Sequence, residues 1–208
     1  FSINQDFDTI VLFIQTQNVS KHGEGKDLAD YYIEYISVKE IIKTEQEPPE
    51  IAPNGSLLSL TWQWNHNPDN SKWSLLERKG FLRLRTCSVV NDIQKAKNTL
   101  TQRTVGPKCS GWVMMDVRNM LDGDIAGLAA FQKEYGYVGV KKDGKEYWVV
   151  MVDRGHEIEK KRIEQMIVYL KIDFDFDIDT AYFYYIYNGI DCIRIGRVLK
   201  MRYTIPHF

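Results

Sequence analysis

Between positions 62 and 73, three tryptophans, Trp62, Trp64 and Trp73, are interleaved with Asn65, His66 and Asn67. Flat aromatic faces cover the C–H faces of a sugar ring, and amide and imidazole groups match its hydroxyls, so this short span holds chemistry suited to a saccharide. On a strand, Trp62, Trp64 and His66 share a face. Either the tryptophans are core with His66 at the rim, or all three line a groove; tryptophan is more often core.

A second set is Asp173, Asp175, Asp177 and Asp179, which alternate with Ile172, Phe174, Phe176 and Ile178 and so share one strand face. Hard cations want several oxygens at once, but residues two apart are spread along a strand, whereas calcium ligands converge from loops. A cross-strand ladder to basic residues such as Arg83 and Arg85 is the more economical account. The histidines, His22, His66, His156 and His207, occur singly, and no Ser or Cys sits in a GxSxG-like context, so nucleophilic catalysis has no anchor in this sequence. Cys87, Cys109 and Cys192 lie far apart without CxxC spacing, which reads as buried or idle thiols with at most one disulfide.

The elements that must position these groups read as strands. Phe81–Arg85 puts Leu82 and Leu84 on one face and Arg83 and Arg85 on the other, and the 172–179 run alternates in the same way. Asp143-Gly144 and Asn188-Gly189 are dipeptides that close tight hairpins, and Asn67-Pro68-Asp69 is a further turn. Gly155–Leu170 has partial helical character, but Ile158, Arg162 and Gln165 spoil any clean apolar stripe, and the segment reads as strand. Glu47-Pro48-Pro49-Glu50 and Pro53-Asn54-Gly55 make 43–56 an exposed connector.

A chain of 208 residues with 44% hydrophobic content suffices for one domain. A net charge of -1 disfavours nucleic acid as a partner. The longest mainly apolar runs, such as Thr9–Ile14 and Tyr147–Val152, fall far short of the ~20 residues of a spanning helix, so a soluble protein with no membrane partner is expected. The chain opens on Phe1 with no charged-then-apolar export pattern, and compartment is not readable from its residues.

From Trp62-Gln-Trp-Asn-His-Asn-Pro-Asp-Asn-Ser-Lys-Trp73 onward, the sequence resembles the concanavalin A-like β-sandwich module at the C-terminal end of family 43 glycoside hydrolases. The likeness continues in order through Glu77-Arg78 with Gly80–Arg85, Lys97–Arg103, Asp122–Phe131 and Tyr135–Val140. It implies an all-β fold, an antiparallel two-sheet β-sandwich of jelly-roll type. It further implies a non-catalytic accessory module of a xylan- or arabinoxylan-directed hydrolase of the xylosidase or arabinofuranosidase type. Its partners would be a plant cell-wall oligosaccharide or polysaccharide and a catalytic five-bladed propeller domain, in a secreted or periplasmic setting. The family's hydrolytic carboxylates belong to the propeller, which nothing here resembles. A structural or interaction domain without sugar binding is the competing reading.

Family members continue past Leu199–Phe208 with two further strands. Here Thr9–Ile14 and Asp27–Val38 look like those two strands, so residues 1–42 are expected to complete the sheets of a single 1–208 domain, in a circularly permuted or permuted-looking arrangement. The alternative is the tail of a preceding domain. An unfilled gap would leave bare strand edges. For sugar contact the candidates are Trp64, His66, Trp73, Gln102, Arg103, Gln132 and Tyr137, each with a bland alternative as a core, surface or inter-strand residue. No cofactor is required. By analogy with concanavalin-like folds that hold one structural calcium between a terminus and a loop, Asp6, Asp8, Asp122 and Asp124 are the metal candidates. Some family xylosidases push a loop aromatic toward the catalytic pocket, but the corresponding Asn119–Asp124 loop has none.

Overall fold

Period-two alternation of apolar and polar residues runs through most of the chain and folds into strands, with 3₁₀ turns at Asn70–Lys72 and Ile93–Lys95. The computed structural model describes Leu58 and residues 62–132, 134–187 and 191–201, with the backbone of two further strands at 9–16 and 30–40. The strands are β1 (Thr9–Thr16), β2 (Asp30–Glu40), β3 (Trp62–Trp64), β4 (Trp73–Ser74), β5 (Leu82–Arg85), β6 (Leu100–Arg103), β7 (Lys108–Asp116) and β8 (Asp124–Phe131). They continue with β9 (Gly136–Asp143), β10 (Glu146–Asp153), β11 (His156–Ile163), β12 (Ile167–Asp175), β13 (Thr180–Tyr187), β14 (Asp191–Arg194) and β15 (Leu199–Lys200).

Two antiparallel sheets result, the all-β concanavalin A-like sandwich that the sequence leads one to expect. One runs β11-β10-β9-β8-β1-β6-β3; the other runs β14-β13-β12-β7-β2-β5-β4, with β15 on β13. The N-terminal strands lie inside these sheets. β1 pairs with β8 from Thr9↔Phe131 to Thr16↔Asp124 and with β6 from Thr9↔Arg103 to Leu12↔Leu100. β2 pairs with β7 on one side and β5 on the other. The 43–56 connector lies outside the described residues.

Between the sheets, Leu82, Leu84, Val113, Leu170, Phe174 and Phe183 meet Leu100, Leu128, Val138, Val140, Val149 and Met151. Each such side chain, fully buried, contributes about 1.5–3 kcal/mol. A smaller apolar cluster, Ile93, Ile125, Ala129, Tyr135, Tyr137, Val150 and Val152, covers the outer face of the β1-containing sheet. On that face, Gly127 stands opposite Gly139, and a Cβ on Gly127 would lie 2.3 Å from the Val138 oxygen, so the close strand approach requires glycine.

Gly155–Leu170 is strand, as β11 and the start of β12. The Asp143-Gly144 hairpin closes β9 onto β10 with Gly144 at φ +60°. Asn188-Gly189 lies outside the described residues, between the paired ends Tyr187↔Asp191. The aspartate row is corrected. β12 ends at Asp175, because the Phe176 N–H donates to the Pro107 carbonyl (2.8 Å), the Asp177 N–H donates to Asp175 Oδ1 (3.1 Å), and Asp179 takes φ +50°. Ile178 is consequently 55% exposed rather than facing the core. The opposing charges also differ: Asp175 lies directly across from Lys108 (2.7 Å) and Asp173 across from Ser110, while Arg83 and Arg85 instead clamp Glu77.

A loop at 195–198 ties the sheets together. Ile195 N–H donates to the Phe183 carbonyl (3.0 Å), Gly196 N–H to Glu159 (2.8 Å), and Arg197 to Asp153 Oδ2 (2.6 and 2.9 Å), whose other oxygen accepts from Arg154 Nε (2.9 Å). Burial pushes the Asp153 carboxyl upward, but the hydrogen bonds from Arg154 and Arg197 outweigh it and hold the group below the usual carboxylate range. A depressed folded-state value gives stability that is present above the unfolded value of about 3.9 and lost as pH falls through the folded value. Asp153→Asn is expected to cost roughly 1–3 kcal/mol at neutral pH. Urea midpoints followed into the acid limb should fall more steeply for the wild type than for the variant; parallel curves would show that Asp153 is not a linked group.

Candidate functional site

The tryptophans flagged by the sequence point toward the core. Trp62 and Trp64 on β3 alternate with exposed Gln63, and both pack with Trp73 against the inter-sheet core while remaining half-buried. The Trp64 and Trp73 rings are 5.3 Å apart, tilted by 50°, and Trp73 Nε1 donates to Asn70 Oδ1 (3.0 Å). Gln102, opposite Trp62 in register, faces inward beside it, with a buried Oε1 that has no hydrogen-bond partner among the described residues. Tyr137 is 3% exposed beneath Ile93 and stacks at 6.4 Å on Tyr135, so it offers no free face to a sugar. Burial raises its hydroxyl well above the ordinary tyrosine value, and burial with nearby Asp92 pushes Tyr135 up to about 12.

Two of the flagged residues do meet at a rim. His66 Nε2 lies 2.7 Å from the Gln94 carbonyl, and Gln94 Nε2 donates to the Gln132 carbonyl (2.9 Å). Gln94 joins three segments distant in sequence and carries no motif, so sequence inspection passes over it. Asn98, at φ +54°, fastens the same loop by accepting from Asp69 N–H (2.9 Å) and donating to the Asp69 carbonyl (3.2 Å). Arg103 lies exposed at the end of β6, opposite Thr9 rather than beside His66. The residues expected to contact sugar are thus divided among the core, the rim and the sheet end.

Among the metal candidates, Asp122 Oδ1 accepts from Gly144 N–H (2.6 Å), and buried Asp124 accepts from Leu121 N–H (2.6 Å) through Oδ2. Both shape the turn that leads into β8. Asp6 and Asp8 lie outside the described residues. Among the described residues, no group of three His, Cys, Asp or Glu side chains converges as a metal site. Cys87, Cys109 and Cys192 are free thiols.

A different surface is concave and aromatic. On the outer face of the β2-containing sheet, Trp112 of β7, Tyr169 and Lys171 of β12 and Ile186 of β13 line a cleft of about 420 Å³. The register is Tyr184↔Lys171↔Trp112 in one row and Ile186↔Tyr169↔Met114 in the next. Lys171 Nζ sits 2.8 Å from Asp173 Oδ1 and 5.5 Å from the Tyr184 ring centre, and Ser110 Oγ donates to Asp173. The sequence shows no signal for this cleft, because Trp112, Tyr169 and Ile186 come from three separate strands.

Residues 54–208 match the family described as the beta xylosidase C-terminal concanavalin A-like domain. The chain belongs to that family. Among solved structures it is similar to a bifunctional GH43-CE protein of Bacteroides eggerthii (50% identical, TM-score 0.69, covering 72% of this chain and 20% of that one). It is also similar to a GH43 glycoside hydrolase engineered for endo-xylanase and exo-arabinofuranosidase activity (37%, TM-score 0.68, 72% and 33%). A beta-xylosidase of Formosa agariphila is 29% identical over 167 residues, covering 64% of this chain and 28% of that protein. A putative beta-xylosidase of Xylanibacter ruminicola is 32% identical over 136 residues, covering 64% and 24%.

The chain is therefore of the kind that forms the C-terminal domain of GH43 xylosidase- and arabinofuranosidase-type enzymes, and it spans about a quarter of the length of these curated relatives. Within this C-terminal domain, the family-like pair Glu77-Arg78 serves structure: Glu77 clamps Arg83 and Arg85, while Arg78 reaches buried Asp116 (3.2 Å) and covers the Phe81 ring. Asp124→Ala is expected to cost roughly 1–3 kcal/mol through the lost N–H acceptor. Urea melts should show the same loss in EDTA and in added calcium; a loss seen only with calcium would make the Asp122–Asp124 turn a metal site.

Proposed function

We propose that this chain is a non-catalytic accessory module of a xylan- or arabinoxylan-directed glycoside hydrolase, contributing carbohydrate contacts or shaping the active site of a partner five-bladed propeller domain. The single observation that supports it most is the family match over 54–208 in a chain that spans only 20% and 33% of two GH43 structures it resembles. Hydrolysis needs a carboxylic acid and a second carboxylate flanking one sugar bond on a scaffold that binds it. Among the described residues the buried carboxylates are engaged otherwise: Asp116 by Arg78 and Arg118, Asp153 by Arg154 and Arg197, and Asp124 by a backbone N–H. The chain is read as one domain, 1–208, in which residues 1–42 supply the β1 and β2 strands, with a permuted strand order relative to its family.

A second reading, a structural or interaction sandwich that binds no sugar, draws support from the tryptophans turned toward the core. The parent enzyme, produced with and without this module, separates the two. The first reading expects no aryl-xyloside turnover by residues 1–208 alone, and a several-fold rise in KM for xylo-oligosaccharides when the module is removed. Turnover by the isolated chain, or an unchanged KM, would contradict it.

A further inference from the structure

We infer that the outer face of the β2-containing sheet is a saccharide-binding platform on which a linear β-linked pyranose chain lies across the strands, centred on Trp112 and Tyr169. This rests on the accessory-module reading and assigns it a surface. The cleft volume of about 420 Å³ falls in the range of small-ligand sites, and half-buried Trp112, Tyr169 and Ile186 supply its apolar wall. Lys171 and Asp173 form an ion pair within the same row system, with Ser110 on Asp173, so donors and acceptors stand beside the rings. Sugars need this pairing of flat faces with polar groups at the ring edge.

The platform extends beyond the cleft. Tyr184 lies across from Lys171 and Tyr182 across from Asp173, Arg194 pairs with Tyr184 in register, and its guanidinium sits 4.9 Å from the Tyr182 ring centre. Neighbouring strands are about 4.8 Å apart, close to the length of one β-1,4-linked pyranose residue, so successive rings of a chain crossing the strands meet successive side chains of a row. An apolar protein partner fits less well. It would have to desolvate the Lys171–Asp173 pair beside the rings, whereas sugar hydroxyls replace the water there.

The test is affinity electrophoresis of the full 208-residue chain in native gels containing soluble arabinoxylan, with hydroxyethyl cellulose as comparator and thermal midpoints to verify folding. Wild-type protein should be retarded by arabinoxylan. Trp112→Ala and Tyr169→Ala should each weaken apparent affinity at least tenfold, and Lys171→Met by a smaller factor. His66→Ala and Trp148→Ala, which change the other sheet's surroundings, should bind like wild type. Should Trp112→Ala fail to fold, Tyr169→Ala and Lys171→Met carry the same comparison. No retardation of the wild type, or loss confined to His66→Ala or Trp148→Ala, overturns the assignment. So does unchanged retardation by Trp112→Ala combined with weaker association with the hydrolase domain supplied in trans, which would make this face a domain interface. The accessory reading is judged separately on the parent enzyme's KM, so it stands if the module lowers KM while Trp112→Ala has no effect.

Discussion

The rest of the structure depends on the pairing of two strands that come before the family-matching segment. β1 lies between β8 and β6, and β2 between β7 and β5, so each sheet has one of these strands in its interior. Without β1, the β8 and β6 edges would stand bare along the positions it now pairs; without β2, the same holds for β7 and β5. Bare edges invite pairing with other chains, and the two sheets bury their shared core only when both are complete. The family match begins at residue 54, beyond both strands.

This constraint reaches the candidate sugar surface. Trp112 is paired with Lys171 on one side and with Ser37 of β2 on the other, so β2 holds β7 in the register that turns Trp112 outward. Because side chains alternate along a strand, the same register buries Val113 and Met115 in the core. A one-residue slip would exchange those roles. Core and platform are thus two faces of one pairing.

Much of this was legible in the sequence where a signal is local. The Leu82/Leu84 alternation, the Asp143-Gly144 turn and the strand content of 155–170 follow from period and turn chemistry alone. The ordered motifs from Trp62 to Val140 carried the family. What escaped was non-local. The aspartate run looked like one continuous strand because nothing within it reports that the Phe176 N–H finds Pro107, about seventy positions earlier. Arg83 and Arg85 looked free to face those aspartates, yet β5 is separated from β12 by β2 and β7, and nearby Glu77 takes both guanidiniums. Gln94 and the Trp112–Tyr169 cleft were invisible for the same reason. Each is made by strands or turns that meet only in the folded sheets, while the conspicuous Trp62–Trp73 cluster turned toward the core.

The most direct measurement is urea unfolding of residues 43–208 beside the full chain, followed by near-ultraviolet circular dichroism of the aromatic residues. With β1 and β2 integral to both sheets, the shortened chain should lose its cooperative transition and its fixed aromatic signal. A sharp transition and an unchanged aromatic spectrum in the shortened chain would contradict the account and make the N-terminal segment an appendage.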